Sequence, residues 1–276
     1  RRLRTLKLFT PKGFETKMDE SIRFLSMLAS AREPAAFEIV GTEDSISFQF
    51  TARSTYIEHI THQLRAYFPQ VAITQSDSMF PELSIDDALS VVDMGLREEF
   101  MRPIKTETRF SPDSYVGIIA ALEALHNGEV GIIQILFQGS VCPWPLVIND
   151  AVSDGQGGSF FSDAPEMVKL AQAKTKSLIF PTVVRVIGQG KDESSSERIA
   201  TSIYSAISMT TKGGDNQLAA LPNEGYRYVD HKRATYFRYS HRLGMLLSLE
   251  ELVSLVHIPS ASVTSSKLSR QAVKTK

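Results

Sequence analysis

Few residues in this chain stand at spacings that could do chemistry, and the most suggestive is the turn in "VRVIGQGKDESSSER", residues 184–198. Gly188, Gly190 and Lys191 leave an apolar run and enter a helical pattern, as a phosphate-binding loop would. Such a loop needs four residues between its glycines and a Ser or Thr after the Lys, so that amides wrap the phosphates and a hydroxyl holds magnesium. Asp192 and Glu193 occupy that place and would repel a phosphate. Ser194 and Glu197 instead have the spacing of a capping box, so the expectation is a capped turn between strand and helix.

The remaining candidates are thinner. Glu58, His59 and His62 fall within one helical turn, but a closed zinc site takes four ligands and no residue with suitable spacing completes the set. They read as a solvated helix face. Cys142, between Val141 and Pro143 and beside Trp144, has no histidine placed near it by any pattern and reads as a small packed side chain. A G-x-S-x-G elbow is absent from the sequence. The acidic pairs Asp86-Asp87 and Glu98-Glu99 are adjacent and point apart, whereas a two-carboxylate mechanism needs convergence. No catalytic residue, metal set or cofactor is expected in these residues, and the chain reads as a non-enzyme.

Two stretches could meet nucleic acid. The run "SISFQFTA" offers Phe48 and Phe50 for base stacking but lacks the basic and glycine residues that open such a strand, so core packing is favoured. A better electrostatic candidate is Arg227, Lys232, Arg233, Arg238 and Arg242, interleaved with Tyr226, Tyr228, Tyr236, Phe237 and Tyr239. An edge strand kept soluble by its cations accounts for the same residues and is the favoured alternative.

Composition bounds what must position these residues. The 276 residues carry a formal net charge of −1, with 42% hydrophobic and 22% charged side chains, so no global field advertises a nucleic acid or a membrane. The longest apolar runs stop well short of the roughly 20 residues a spanning helix needs. A single cysteine excludes an internal disulfide framework and fits a reducing compartment. The start at Arg1-Arg2, with no secretory signal, reads as a piece of a longer polypeptide.

Along the chain, "LRTLKLFTP" predicts a strand and "DESIRFLSMLAS" a helix with Ile22, Leu25, Leu28 and Ala29 on one face. "AAFEIV" and "SISFQFTA" predict a hairpin, with Ile46, Phe48 and Phe50 inward and Ser45, Ser47 and Gln49 on a wet face. "STYIEHITHQLRAYFP" and "QVAITQS" add a helix and a strand, completing βαββαβ. The order repeats with longer connections, through "ALSVVDMGL", "SPDSYVGIIAALEALHNGE", "VGIIQILFQGSV", "LIFPTVVRVIGQG", "SSERIATSIYSAIS" and "QLAALP" with "YRYVD". The expected fold is α+β, two tandem ferredoxin-like units at 1–80 and 81–247, with mixed or antiparallel sheets and helices on one face. The second unit carries an insertion near 142–176. Residues 248–276 form a connecting helix and a basic linker with too little apolar content to fold alone.

That connecting helix is "SLEELVSLVHIPS", residues 248–260. Ser248 and Glu251 are spaced as a capping box, Leu249, Leu252, Val253 and Val256 form one apolar face, and Pro259 ends the helix. "MLLSLEELVSLVHIPS" resembles the segment that joins the N-terminal domain to the motor in conjugative coupling ATPases of type IV secretion and their DNA-translocating relatives. Glu250, Glu251, Leu252, Leu255, His257 and Pro259 match its usual form, and Ser248, Leu249, Val253 and Ile258 depart from it. Weaker likenesses follow in the same order, in "FEIVGTEDSISFQFTARSTYIEHITHQLRAYFPQVAI", "DSYVGIIAALEALHNGEVGIIQILFQ" and "AKTKSLIFPTVVRVIG".

The resemblance implies that motor motifs begin beyond Lys276 and that this chain is the N-terminal domain alone. It would form a non-catalytic cytoplasmic collar, membrane-proximal only through segments outside this sequence. Its partners would be its own motor domain and sister subunits of a hexameric ring, with DNA and a secretion or defence protein as further contacts. Ser248, Glu250, Glu251, Leu252, Leu255, His257 and Pro259 would then be an inter-domain clasp.

Overall fold

Strand and helix patterns alternate as the sequence predicts in the computed structural model, which describes residues 2–77, 80–84, 86–212, 214–226 and 228–270. The first half runs β1 (Leu3–Phe9), α1 (Met18–Leu28), β2 (Ala35–Gly41), β3 (Ile46–Arg53), α2 (Ser54–Tyr67) and β4 (Ala72–Asp77). The second runs β5 (Ala88–Leu96), α3 (Val116–Glu123), β6 (Val130–Phe137), α4 (Trp144–Asp150), α5 (Glu166–Lys174), β7 (Ile179–Gly190), α6 (Glu193–Thr211) and β8 (Leu218–Ala220). A 3-10 turn at Glu224–Tyr226, α7 (His231–Phe237), β9 (Met245–Ser248) and α8 (Leu249–Leu255) follow.

The fold is α+β, and its strands form one sheet rather than two. The order is β4-β1-β3-β2-β6-β7-β5-β8, with β9 on β7, and every ladder is antiparallel. The first half contributes β4-β1-β3-β2, and the second, taken from its far edge inward, β8-β5-β7-β6. The order is thus the same in both, and the halves meet where β2 pairs β6 from Ala35↔Phe137 to Gly41↔Gly131. Joining two edge strands in this way removes two rows of unpaired backbone groups from solvent.

Both faces of the middle of the sheet are covered. One face carries Phe37, Ile39, Ile133, Ile135, Val184 and Val186 into the main core, where α1, α2, α3, α6 and α8 contribute Phe24, Leu64, Leu122, Ile203 and Leu252. Phe24 stands edge-on to Phe50 and to Phe68, an arrangement ring quadrupoles favour. The other face carries Val40, Ile132 and Ile187, packed with Phe80, Leu83 and Tyr236 of α7. The expectation of helices on one face is therefore corrected: α7 lies on the opposite side from α1, α2, α3 and α6. The wet face assigned to β3 is corrected with it, since Ser47 and Gln49 are buried beneath that cover.

Four local expectations also change. The cap of α6 is Asp192, which accepts from the Ser195 amide at 2.8 Å, in place of the Ser194-Glu197 box. Residues 224–226 form a 3-10 turn rather than a closing strand, and the basic-aromatic run is helix α7 rather than an edge strand. The basic tail docks on the body through Val263 and Leu268, and Leu268 bridges Ile46 as Arg270 bridges Thr10.

Helix α6 crosses β7 at Gly188, where a Cβ would collide with the Ser196 carbonyl oxygen and lie 2.7 Å from the Ala200 nitrogen. Gly188→Ala is therefore expected to lower the unfolding free energy by about 1–3 kcal/mol through overpacking. Gly117, within α3, has nothing within 4 Å of a Cβ, so Gly117→Ala is expected to raise it by about 0.5–1 kcal/mol. Urea unfolding midpoints of the two variants, moving in opposite directions, check the pair.

Candidate functional site

The clasp begins where β9 pairs the start of β7, from Ile179↔Ser248 to Thr182↔Met245, and passes directly into α8. The capping box predicted from the sequence is present: the Ser248 amide donates to Glu251 Oε2 at 2.7 Å and the Glu251 amide to Ser248 Oγ at 3.3 Å. Glu251 does more than cap. Its Oε1 accepts from the Ile104 amide at 2.9 Å, and the Lys174 ammonium lies 3.3 Å from Oε2, with both side chains fully buried. Burial pushes the Lys174 ammonium down from its usual range while Glu251 opposes the shift. One carboxylate thus closes a helix, holds the segment after β5 and neutralises a lysine from α5.

His257 finishes the clasp. Its ring lies between Phe110 and Tyr115, with centroids at 4.0 and 3.9 Å. Nε2 is 2.9 Å from Asp113 Oδ1 and Nδ1 is 2.9 Å from the Val253 carbonyl oxygen. Asp113 also accepts from the amides of Tyr115 and Ser260 at 2.9 Å each. The Tyr115 hydroxyl accepts from the His257 amide and donates to the Leu255 carbonyl. The first half holds the same segment: Thr16 Oγ1 donates to the Ile258 carbonyl and the Ala261 amide to the Phe14 carbonyl. Leu252, Leu255 and Pro259 are buried in this junction, and exposed Glu250 accepts from the Ser177 hydroxyl. The structure therefore places residues 248–260 between the two halves of this chain.

The opposite face carries a second polar assembly that the sequence reading missed. Lys7, Gln49, Glu38, Gln134, Arg185 and Asp93 are consecutive register partners across β1, β3, β2, β6, β7 and β5. Glu38 is fully buried and accepts from Gln49, Thr51 and Gln134, and from Arg238 Nε at 2.9 Å. Arg185 donates to Asp93 Oδ1 and to Gln134 Oε1, each at 3.1 Å, and to the Tyr239 carbonyl. Arg242 Nε reaches Asp93 Oδ2 at 2.8 Å, and its guanidinium also donates to Pro222 and Asn223. A lone acid inside an apolar strand, as in "FEIV" and "VVDMG", is the signal that could have found this row, since a buried charge must be paired.

Of the five cations named as nucleic-acid candidates, the four among the described residues are separated by this arrangement. Arg238 and Arg242 serve Glu38 and Asp93, and their guanidiniums stack over Phe80 and Tyr226 at 4.0 and 4.2 Å. Arg238 adopts φ 54°, the left-handed region that usually falls to glycine, and there it both ends α7 and aims at Glu38. Half-buried Lys232 reaches the Ser84 carbonyl, and Arg233 is exposed over Phe237. Arg227 lies outside the described residues. Cys142 is exposed rather than packed. Among the described residues, no group of three or more His, Cys, Asp or Glu could hold a metal ion, and no helix is long and apolar enough to cross a membrane.

What the geometry defines, then, is an α+β chain with one continuous antiparallel sheet, clasped on one face and strapped on the other. Residues 17–144, less than half of the chain, match a family model described as a domain of unknown function, DUF8128. The match includes Glu38, Asp93, Asp113 and Gln134 but neither Arg238 nor His257. The search of curated proteins gave no match.

Removing one partner of a buried pair strands the other. Glu251→Ala is therefore expected to cost about 3–5 kcal/mol in chemical unfolding, well above a surface Glu250→Ala control. Two carboxyls set the acid response. Burial pushes Glu38 up, but the Arg238 charge and hydrogen bonds from Arg238, Gln49 and Gln134 outweigh it and hold the carboxyl below its usual range. At Asp113 burial is likewise outweighed by His257 and the Ser260 and Tyr115 amides. Both groups bind protons more tightly unfolded than folded, so their stabilisation is complete above the ordinary carboxylate range and is lost as pH falls through the folded values. Stability against pH should fall steeply below about pH 4, and Glu38→Gln or Asp113→Asn should flatten that limb.

Proposed function

We propose that these residues are the non-catalytic N-terminal domain of a ring-forming DNA-translocating ATPase of the conjugation, DNA-transfer or phage-defence type. Two ferredoxin-like units fuse edge to edge to make the domain, and it stands as a collar between its own motor and its sister subunits. The repeated strand order and βαββαβ connectivity of the two halves support the fold part of this reading.

One observation carries the functional part. The segment with the strongest resemblance, 245–260, contains three ionisable residues of the matching pattern, and two of them, Glu251 and His257, are each buried against a named partner, Lys174 and Asp113, while Glu250 is exposed. A buried ionisable residue is kept only where geometry satisfies it, so a pattern built on two of them marks an element with a fixed place in a fold rather than a chance amphipathic helix. A stand-alone nucleic-acid module is less well supported, because Arg238 and Arg242 are spent on Glu38 and Asp93.

A polypeptide continuing past Lys276, prepared beside residues 1–276, tests the proposal by native mass spectrometry and DNA-stimulated ATP hydrolysis. The longer chain is expected to form rings and hydrolyse ATP, while residues 1–276 do not hydrolyse it. A continuation that binds no nucleotide would overturn the proposal.

A further inference from the structure

His257 has an acceptor at each ring nitrogen: the Val253 carbonyl oxygen 2.9 Å from Nδ1 and Asp113 Oδ1 2.9 Å from Nε2. Neither partner has a hydrogen to give. A carbonyl oxygen never does, and each carboxyl oxygen of Asp113 already accepts a backbone amide, Oδ1 from Tyr115 and Oδ2 from Ser260. Neutral imidazole donates from one nitrogen only and presents a lone pair at the other. Either neutral tautomer would leave a buried lone pair facing an oxygen, with nothing in contact to relieve it.

We propose that His257 is a buried imidazolium, and that its second proton is the latch holding residues 257–270 on the body of the protein. The groups that face it allow this. The segment before α3 supplies Asp113 as counter-ion, and the faces of Phe110 and Tyr115 flank the cation. The Tyr115 phenol is pushed well above its usual range by burial and stays neutral. From α8, Glu251 is engaged with Lys174, and from the loop before α1, Thr16 contributes a hydroxyl to the Ile258 carbonyl.

When the proton leaves, one of two buried acceptors loses its donor. If that acceptor is Asp113, a carboxylate is left in the core with only the Tyr115 and Ser260 amides. Ser260 shares this carboxylate, and Ala261 beside it donates to Phe14, so loosening at His257 passes directly to the segment that carries Leu268 onto Ile46. The latch is closed while the proton is held and opens as pH rises to remove it. This is the opposite sense to the acid response of Glu38 and Asp113. The inference needs only the geometry of this chain and stands apart from the proposed motor.

Nitrogen-15 NMR of the intact 276-residue protein tests it. At neutral pH both ring nitrogens of His257 are expected at protonated shifts, each with a hydrogen-bonded N–H proton. On raising the pH, loss of these signals is expected together with a fall of about tenfold or more in the amide protection factors of Ser260 and Ala261. Asp113→Asn, checked for folding by circular dichroism, is expected to show one unprotonated ring nitrogen already at neutral pH. An unprotonated ring nitrogen in the unaltered protein at neutral pH would overturn the imidazolium. Protection factors that stay constant through the titration would overturn the latch.

Discussion

The antiparallel ladder between β2 and β6 is the constraint from which most of the structure follows. Each strand is the edge of its own four-stranded set, and pairing them puts both in the middle of one wide sheet. The middle of such a sheet cannot leave a face open without exposing Val40, Ile132 and Ile187, nor keep Glu38 there without a counter-charge. Residues 228–244 meet both needs, with Tyr236 covering the apolar part and Arg238 and Arg242 neutralising the acids. The charge row and the strap over it are consequences of the join.

The helical face has the complementary problem. Helices from two halves meet over the ladder, and their seam needs a filler that is apolar toward the core and polar toward the loops of both halves. Helix α8 answers with Leu252 and Val253 inward and Glu251 and His257 at its two ends. Strap and clasp are neighbours in sequence, so the chain after β8 wraps the sheet from both sides.

Much of this was legible in the sequence wherever a local rule decides. The alternation in "SISFQFTA", the amphipathic helices and the Ser248-Glu251 box each depend on neighbours along the chain, and each appears where it was read. What failed depended on distant partners. Gln49 looked solvent-facing because it is polar, yet it hydrogen-bonds Glu38 on the next strand. The run from Arg227 to Arg242 looked like an edge strand or a nucleic-acid surface because its cations seemed free, whereas the acids that claim two of them lie 149 and 200 residues away. For α6, Asp192 competes with Ser194 for the same cap, and spacing alone does not rank them. In the clasp, the sequence named Glu251 and His257 but not Lys174, Asp113 or Tyr115, because nothing local links those residues to the segment.

If the β2–β6 ladder makes the two halves one cooperative body, native-state hydrogen exchange will show it most directly. Amides of Ile39 in β2, Phe50 in β3, Ile133 in β6 and Val186 in β7 should converge on a single opening free energy as denaturant rises. Convergence of Ile39 and Phe50 on one value and of Ile133 and Val186 on another, with the two sets opening independently, would contradict the account.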